Sequence, residues 1–304
     1  MSEKAIKVEN LEKRFRKVKA VDGITFSVDY GELFALLGPN GAGKSTTIRI
    51  LTTLAYPTGG RAEVAGYDVK KQGKEVRKKI GLVSDRLILY DRLTALENIQ
   101  FFSRLYGVDD KTIMKRSEEL LSLLGMWKWK DTFVSKMSTG MKQKINIARA
   151  LIPEPEIIFL DEPTLGLDPE STMHIRNFIF QLSKKGKTII LTTHILHEVE
   201  LLAGKVAIMN KGKIVAIDTP RNLKKHFKEK EVIEVELERT IDKELIKGKI
   251  VEAIDNYFKV EVEDLNSFLK ELADLNVKVK SIKTMEPSLE DIFVKLTTGA
   301  EVKA

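Results

Sequence analysis

Apolar and polar side chains alternate along residues 4–9 and 24–28, the two-residue period of a half-buried strand, whereas Leu33-Phe34-Ala35-Leu36-Leu37 is an unbroken apolar run closed by Gly38. Such a run reads as a strand buried on both faces. Between about Thr94 and Leu124 the period lengthens. Leu96, Ile99, Phe102 and Leu105, then Ile113, Leu120, Leu121 and Leu124, recur at three-to-four spacing with Gly107 between the two sets, which predicts a helical region. Strand signals return at Ile157–Leu160, Thr188–Leu191, Val206–Met209 and Ile214–Ile217, with helical patterns between the first three. After Pro220 the alternation resumes at 232–237 and 257–262, ahead of a helical Leu265–Leu275. The layout predicts an α/β core interrupted by a helical insert and followed by a small α+β appendage, with no fixed-period repeat.

Composition bounds the picture. A chain of 304 residues, 43% hydrophobic and 31% charged, fits two compact units. Its longest apolar run is five residues, against about 20 for a membrane-spanning helix. Met1-Ser2-Glu3-Lys4 leads into mixed charged sequence without the apolar stretch of a secretory signal, so the expected location is inside the cell. With no cysteine there are neither disulfides nor thiolate metal sites. Of the four histidines, His174 and His226 stand apart, and the His194/His197 pair lacks a third ligand. The net charge of +7 is unevenly spread: residues 1–221 carry 36 basic and 26 acidic side chains, the remainder 15 and 18. The sign thus changes near residue 221. A basic excess suits nucleotide phosphates, nucleic acid or an anionic membrane surface without choosing among them. Thirty-eight lysines and only four glutamines lean toward the composition of proteins from hot habitats.

Candidate chemistry begins where the buried run ends. Gly38-Pro39-Asn40-Gly41-Ala42-Gly43-Lys44-Ser45 matches G-x-x-x-x-G-K-[ST] between a strand and a helical Thr46–Leu54. A chance match in a chain this long has a probability of order 1%. The glycines allow a tight turn and close approach of phosphate, the backbone N–H groups and helix N-terminus supply positive potential, and Lys44 adds a point charge for the β- and γ-phosphates. Ser45 is expected to ligate Mg²⁺ through its hydroxyl. Farther along, Ile157–Leu160 ends in Asp161-Glu162, two acids at the carboxyl edge of a strand. Asp161 is expected to hold Mg²⁺ through its water shell and Glu162 to orient and deprotonate the attacking water. Together these motifs predict nucleotide hydrolysis. The nearest approach to a guanine-reading Asn-Lys-x-Asp, Asn210-Lys211-Gly212-Lys213, lacks the acid, which favours ATP.

Met137-Ser138-Thr139-Gly140-Met141 then brings in a family. Placed before an Ala-Arg-Ala helix and roughly 20 residues ahead of the acidic pair, it resembles the signature loop of ATP-binding-cassette (ABC) ATPases. The family form is Leu-Ser-Gly-Gly-Gln; this chain keeps Ser138 and Gly140 and carries Thr139 and Met141, a variant that looks like drug-resistance-type exporter ATPases. Leu165-Gly166-Leu167-Asp168 is similar to the family's D-loop, Thr192-Thr193-His194 to its switch histidine, and Phe15 to the aromatic that stacks on adenine. One position departs. The family's glutamine after the strand-like Ile80–Val83 is replaced by Asp85, which can bind the ion's water shell without donating a hydrogen bond, and Arg86 stands beside it as a substitute donor.

The resemblance spans roughly residues 4–220, and Glu286-Pro287-Ser288-Leu289-Glu290-Asp291-Ile292-Phe293 looks like the C-terminal extension of the exporter subgroup. It implies a P-loop NTPase core with an antiparallel β subdomain and a helical insert at about 86–152, in an ABC ATPase domain of residues 1–221, followed by an accessory domain at 222–304. It further implies ATP and Mg²⁺ as cofactors and a separate integral-membrane permease docking on the helical insert and the Asp85 loop. Two copies would form a head-to-tail dimer in which ATP lies between one chain's phosphate loop, Gly38 to Thr46, and the other's Ser138–Gly140, with Asp168 at the junction. Glu162, His194 and Lys44 are the expected catalytic residues, and the expected location is cytoplasmic, peripheral on the inner face of the membrane. The alternative is a soluble ABC ATPase acting on ribosomes or DNA. Such proteins usually carry two cassettes or long coiled coils, and this chain shows neither, so nucleic acid is not expected as a partner.

Overall fold

The computed structural model describes residues 3–226, 231–241, 246, 249–275, 277–285 and 288–298, and the chain divides into two units, Met1–Thr219 and Pro220–Ala304. In the first, Lys4–Phe15 (β1) and Val18–Asp29 (β2) form an antiparallel hairpin. It is longer than the alternation predicts, because register shifts keep the strands paired where the two-residue period breaks. Leu33–Leu37 (β3), buried throughout, runs through the glycine-rich loop into Lys44–Leu51 (α1). Gly59–Val64 (β4), Tyr67–Asp68 (β5), Gly73–Lys79 (α2) and Ile80–Val83 (β6) follow. The antiparallel sheet has the order β2-β1-β4-β5. β4 gives little sequence signal because only Ala62 and Val64 of its six residues are buried.

The insert consists of Ala95–Leu105 (α3), Asp110–Leu123 (α4), two short 3-10 turns at Trp127–Trp129 and Val134–Lys136, and Thr139–Leu151 (α5). Side-chain caps start each helix: Thr94 with Glu97 in a capping box, Asp109, and Ser138. The apolar stripe expected to bury α3 does so only at Ile99. The inward face is Ala95, Asn98, Ile99 and Ser103, and Leu105 is 70% exposed. Asn98 explains the rotation: its side chain accepts from Tyr90 N and donates to the Tyr90 and Thr94 carbonyls, so a polar anchor takes the inside, leaving Leu96 and Phe102 half-buried and Leu105 facing out.

Ile157–Asp161 (β7), Pro169–Lys184 (α6), Thr188–Thr193 (β8), Leu196–Leu202 (α7), Lys205–Asn210 (β9) and Lys213–Asp218 (β10) complete the unit. The second sheet has the order β10-β9-β3-β8-β7-β6, parallel except for β10. Its buried strands send alternate residues to opposite cores. Phe34, Leu36, Phe159 and Ile190 join Ile6, Val28 and Ile48 on the side of the antiparallel sheet. Leu33, Ile158, Leu160, Ile189 and Leu191 join Ile99, Leu121, Ile145 and Phe178 on the side of the insert. Each such side chain contributes about 1.5–3 kcal/mol on burial, so packing on both faces fixes the strands that end at the carboxyl edge.

In the second unit Pro220–His226 (α8), Glu231–Leu237 (β11), Lys249–Ile254 (β12), Tyr257–Val262 (β13), Leu265–Asp274 (α9), Val279–Met285 (β14) and Leu289–Thr298 (α10) build an antiparallel sheet of order β12-β13-β11-β14. Ile233, Val235, Phe258 and Val260 alternate onto one face and pack with Phe268 and Leu272 of α9. Glu286 and Pro287 of the tail motif lie outside the described residues. Together the two units give the α/β architecture with an antiparallel subdomain, a helical insert and an α+β appendage.

Candidate functional site

Because β8 lies between β3 and β7, the segments leaving the carboxyl ends of these three parallel strands meet at one edge. The register sets Leu37 opposite Thr193 and Asp161 opposite Thr192. β3 delivers the loop at 38–43, where Gly43 has φ +105 and a Cβ on it would collide with the Ala20 carbonyl oxygen. That glycine is the N-cap of α1 and offers no side-chain cap, which leaves the helix N-terminus to an incoming anion. Pro39, Asn40 and Gly41 are exposed, while Gly38, Ala42 and Lys44 are buried and Ser45 and Thr46 half-buried. The Lys44 ammonium donates to the Gly38 carbonyl at 2.7 Å and the Pro39 carbonyl at 3.3 Å.

The two acids sit in different surroundings. Asp161 is 3% exposed, and its Oδ1 accepts from Ser45 Oγ at 3.0 Å and from Thr192 Oγ1 at 2.5 Å. Burial pushes its carboxyl above the ordinary carboxylate range, against those two hydrogen bonds; the negative charges of Asp85 and Glu162 push the same way. A hydroxyl and a carboxylate meeting at the end of an anion-binding loop are hard oxygen donors, and no cluster of three or more His, Asp or Glu forms a cage among the described residues. This donor set fits Mg²⁺, which keeps several waters and takes one or two carboxylates together with substrate phosphates.

Glu162 turns back on itself. Its φ of +48 is a left-handed conformation, strained for a residue with a side chain, and it is held there by N–H donation to Thr192 Oγ1 at 3.0 Å and to the Thr192 carbonyl at 3.1 Å. The result is a carboxylate with Oε1 3.1 Å from Lys44 Nζ and Oε2 2.9 Å from His194 Nδ1. His194 is 37% exposed at the head of α7, and His197 is exposed and apart from this group. Phosphate-binding amides, an ammonium, a carboxylate with a histidine partner and a hard-cation corner are the parts needed for phosphoryl transfer to water.

Other sequence-identified residues stand farther off. Ser138 caps α5, its Oγ accepting from Met141 N at 3.2 Å. Gly140 is buried against its own chain: a Cβ there would overlap Ser171 Oγ and stand 2.7 Å from Ser171 Cβ. Asp168 caps α6, accepting from Ser171 N at 2.8 Å, a bond that holds its carboxyl below the usual range. Phe15 ends β1, 49% exposed with Lys13 over its ring, so it is not a core residue. Asp85, past β6, is exposed and close enough to raise the Asp161 carboxyl.

Three contributions escape motif reading. Thr192 organises both acids. Glu198 of α7 is buried and accepts from three donors. A side-chain ladder also runs along α5: Gln143 donates to the Pro163 carbonyl at 2.8 Å, Asn146 to Gln143 at 3.3 Å, and Arg149 to Asn146 at 2.7 Å and the Ile88 carbonyl at 2.9 Å. Polar residues at i, i+3 and i+6 of a buried helix face are the signal that could have pointed to the ladder.

Comparison with known proteins finds relatives in sequence and in fold. A family model described as ABC transporter matches residues 21–165, an AAA domain model matches 131–200, and a model described as ATP-binding protein DrrA1-3-like, C-terminal domain, matches 219–297. The linearmycin resistance ATP-binding protein LnrL of Bacillus subtilis (strain 168) is 34% identical over 304 residues, covering 96% of this chain and 98% of its own. The daunorubicin resistance ATP-binding protein DrrA2 of Streptomyces coeruleorubidus is 36% identical, covering 96% and 95%. A solved ATP binding subunit of an ABC transporter superposes with a TM-score of 0.67 at 31% identity, over 73% of this chain and 93% of that one. The dimeric structure of MJ0796, a bacterial ABC transporter cassette, does so with a TM-score of 0.65 at 27% identity, over 70% and 98%.

Proposed function

From a chain that belongs to the ATP-binding proteins of ABC transporters, and is therefore an ATPase, we propose the hydrolytic subunit of an exporter that drives a separate membrane permease through ATP-dependent pairing of two copies. The carrying observation is the Glu162 carboxylate, one residue past Asp161 and within reach of both Lys44 and His194. In this reading the amides of Gly38 to Thr46 and the Lys44 ammonium bind the phosphates, Phe15 stacks on adenine, and Glu162 takes the proton from the attacking water. His194 stabilises charge opposite Glu162. Ser45, Asp161 and Asp85 would hold Mg²⁺, which supplies charge neutralisation at the phosphates when bound. Ser138 and Gly140 of the second copy would close over the γ-phosphate, with Asp168 beside them.

Residues 1–221 are the ATPase domain in this reading and 222–304 an accessory domain. Relatives named for linearmycin and daunorubicin resistance support export. An outward-facing aromatic surface supports permease docking: Tyr90 packs on Phe101 and Phe102, and Arg149 lies 4.4 Å from the Phe102 ring centroid, beside the loop of Asp85 and Arg86. The working position would be the cytoplasmic face of the membrane, the chain bound through that partner; no helix among the described residues is long and apolar enough to cross a bilayer.

Glu162→Gln tests the reading. It is expected to bind ATP, to lose hydrolysis by about 10²–10⁴-fold, and to accumulate as a dimer in light scattering with ATP and Mg²⁺. Hydrolysis at the parent rate overturns the general base; a monomer at saturating ATP overturns the pairing.

A further inference from the structure

Among the described residues three acids are buried, Asp161, Glu162 and Glu198, and the site as described uses only the first two. Glu198 is the most enclosed, 1% exposed on α7, four residues after His194. Its Oε1 accepts from Thr164 Oγ1 at 2.5 Å and from Arg176 Nε at 3.0 Å, and its Oε2 accepts from Thr193 Oγ1 at 2.7 Å. Thr193 Oγ1 in turn accepts from Ile195 N at 3.0 Å, so the backbone on both sides of His194 is tied to this one carboxylate.

Thr164 lies two residues past Glu162, in the turn closed by Leu165 N on the Glu162 carbonyl at 3.2 Å. Arg176 belongs to α6, the helix that Asp168 caps. Glu198 therefore fastens the turn after Glu162, the backbone of His194 and the body of α6 at one point. A buried carboxylate facing a guanidinium is a poor way to gain stability, since well-packed apolar side chains serve as well or better. It is an effective way to define geometry, because each of its bonds is directional and an unmade one is costly in a dry site. His194 has little packing of its own to orient it, being partly exposed at the end of a strand.

We propose that Glu198 is a positioning residue for ATP hydrolysis, setting the His194 ring against the Glu162 carboxylate. This rests on the reading that Glu162 and His194 act in hydrolysis. A glutamine in place of Glu198 keeps the shape but turns an amide donor toward groups that are themselves donors and leaves Arg176 without its charge partner. The phosphate loop is untouched by the change.

Single-turnover hydrolysis by the full chain tests this. Glu198→Gln should lower the hydrolysis rate by about 10–100-fold while ATP affinity stays at the parent value. In a His194→Ala background the same substitution should cause no further loss, since it acts through that ring. Equal fold losses in both backgrounds, or a parent rate for Glu198→Gln beside a slow His194→Ala, overturn the proposal alone. A parent rate for His194→Ala overturns the reading of the site and the proposal with it. Should Glu198→Gln not fold, Thr193→Val, which keeps the Arg176 pair and removes one hydroxyl, enters the same cycle with the same expected outcome and the same overturning ones.

Discussion

At Asp161 folding places a carboxyl where its charged form is disfavoured, and the strain of that placement can be measured. The folded chain holds the Asp161 proton more tightly than the unfolded one, so this group's contribution to stability falls as pH rises from the ordinary value of 3.8 through the raised folded value. Asp161→Asn does not titrate, yet its carbonyl oxygen can still accept from Ser45 and Thr192. Thermal unfolding without nucleotide or metal should show Asp161→Asn melting above the parent at neutral pH, with the gap closing below pH 3.8, where both side chains are neutral. Hydrolysis by the variant should be lost. A gap independent of pH would mean that shape and not charge sets the effect.

Helices α5 and α6 cross where Gly140 meets Ser171, so this glycine has a duty inside its own chain. Gly140→Ala should force the two helices apart and cost about 1–3 kcal/mol in urea unfolding, the usual penalty of overpacking a close contact. Pairing it with Ser171→Gly removes the obstructing side chain, and most of the lost stability should return despite the weakened cap at Asp168. If the double variant is no more stable than Gly140→Ala alone, the close approach is not what demands a glycine. On α3 the lesson concerns sidedness: a helical period says that a face exists, and the polar anchor Asn98 decided which way it points.

For the whole molecule the decisive question is whether Ser138 serves a second copy, since within one chain it is occupied as the cap of α5. Ser138→Arg should bind ATP through its own Lys44 and fail to hydrolyse it, while Lys44→Ala should lose both binding and turnover. Mixed, the two should regain partial activity that peaks near equal amounts, because one intact loop at 38–45 then faces one intact Ser138–Gly140 segment. Labelled subunits establish that exchange occurs. Parent activity of Ser138→Arg alone would leave Ser138 as a helix cap and remove the support for a composite site.

What the chain's order of residues determined by itself is local: the two-residue and three-to-four-residue periods, the loop from Gly38 to Ser45, and the acids that end a buried run at Asp161 and Glu162. These are legible because each depends on neighbours within a few positions, through backbone geometry and helix capping. What only tertiary structure decided is adjacency. Glu162 and His194, 32 positions apart, meet because β8 inserts between β3 and β7, an order set by crossover helices packing on both faces of the sheet. The left-handed turn at Glu162 is held by Thr192 on the neighbouring strand, and the enclosure of Glu198 by three separate segments, so neither carries a mark in its own stretch of sequence. Periodicity is a property of one element, whereas a buried charge becomes tolerable only when donors from several elements converge on it.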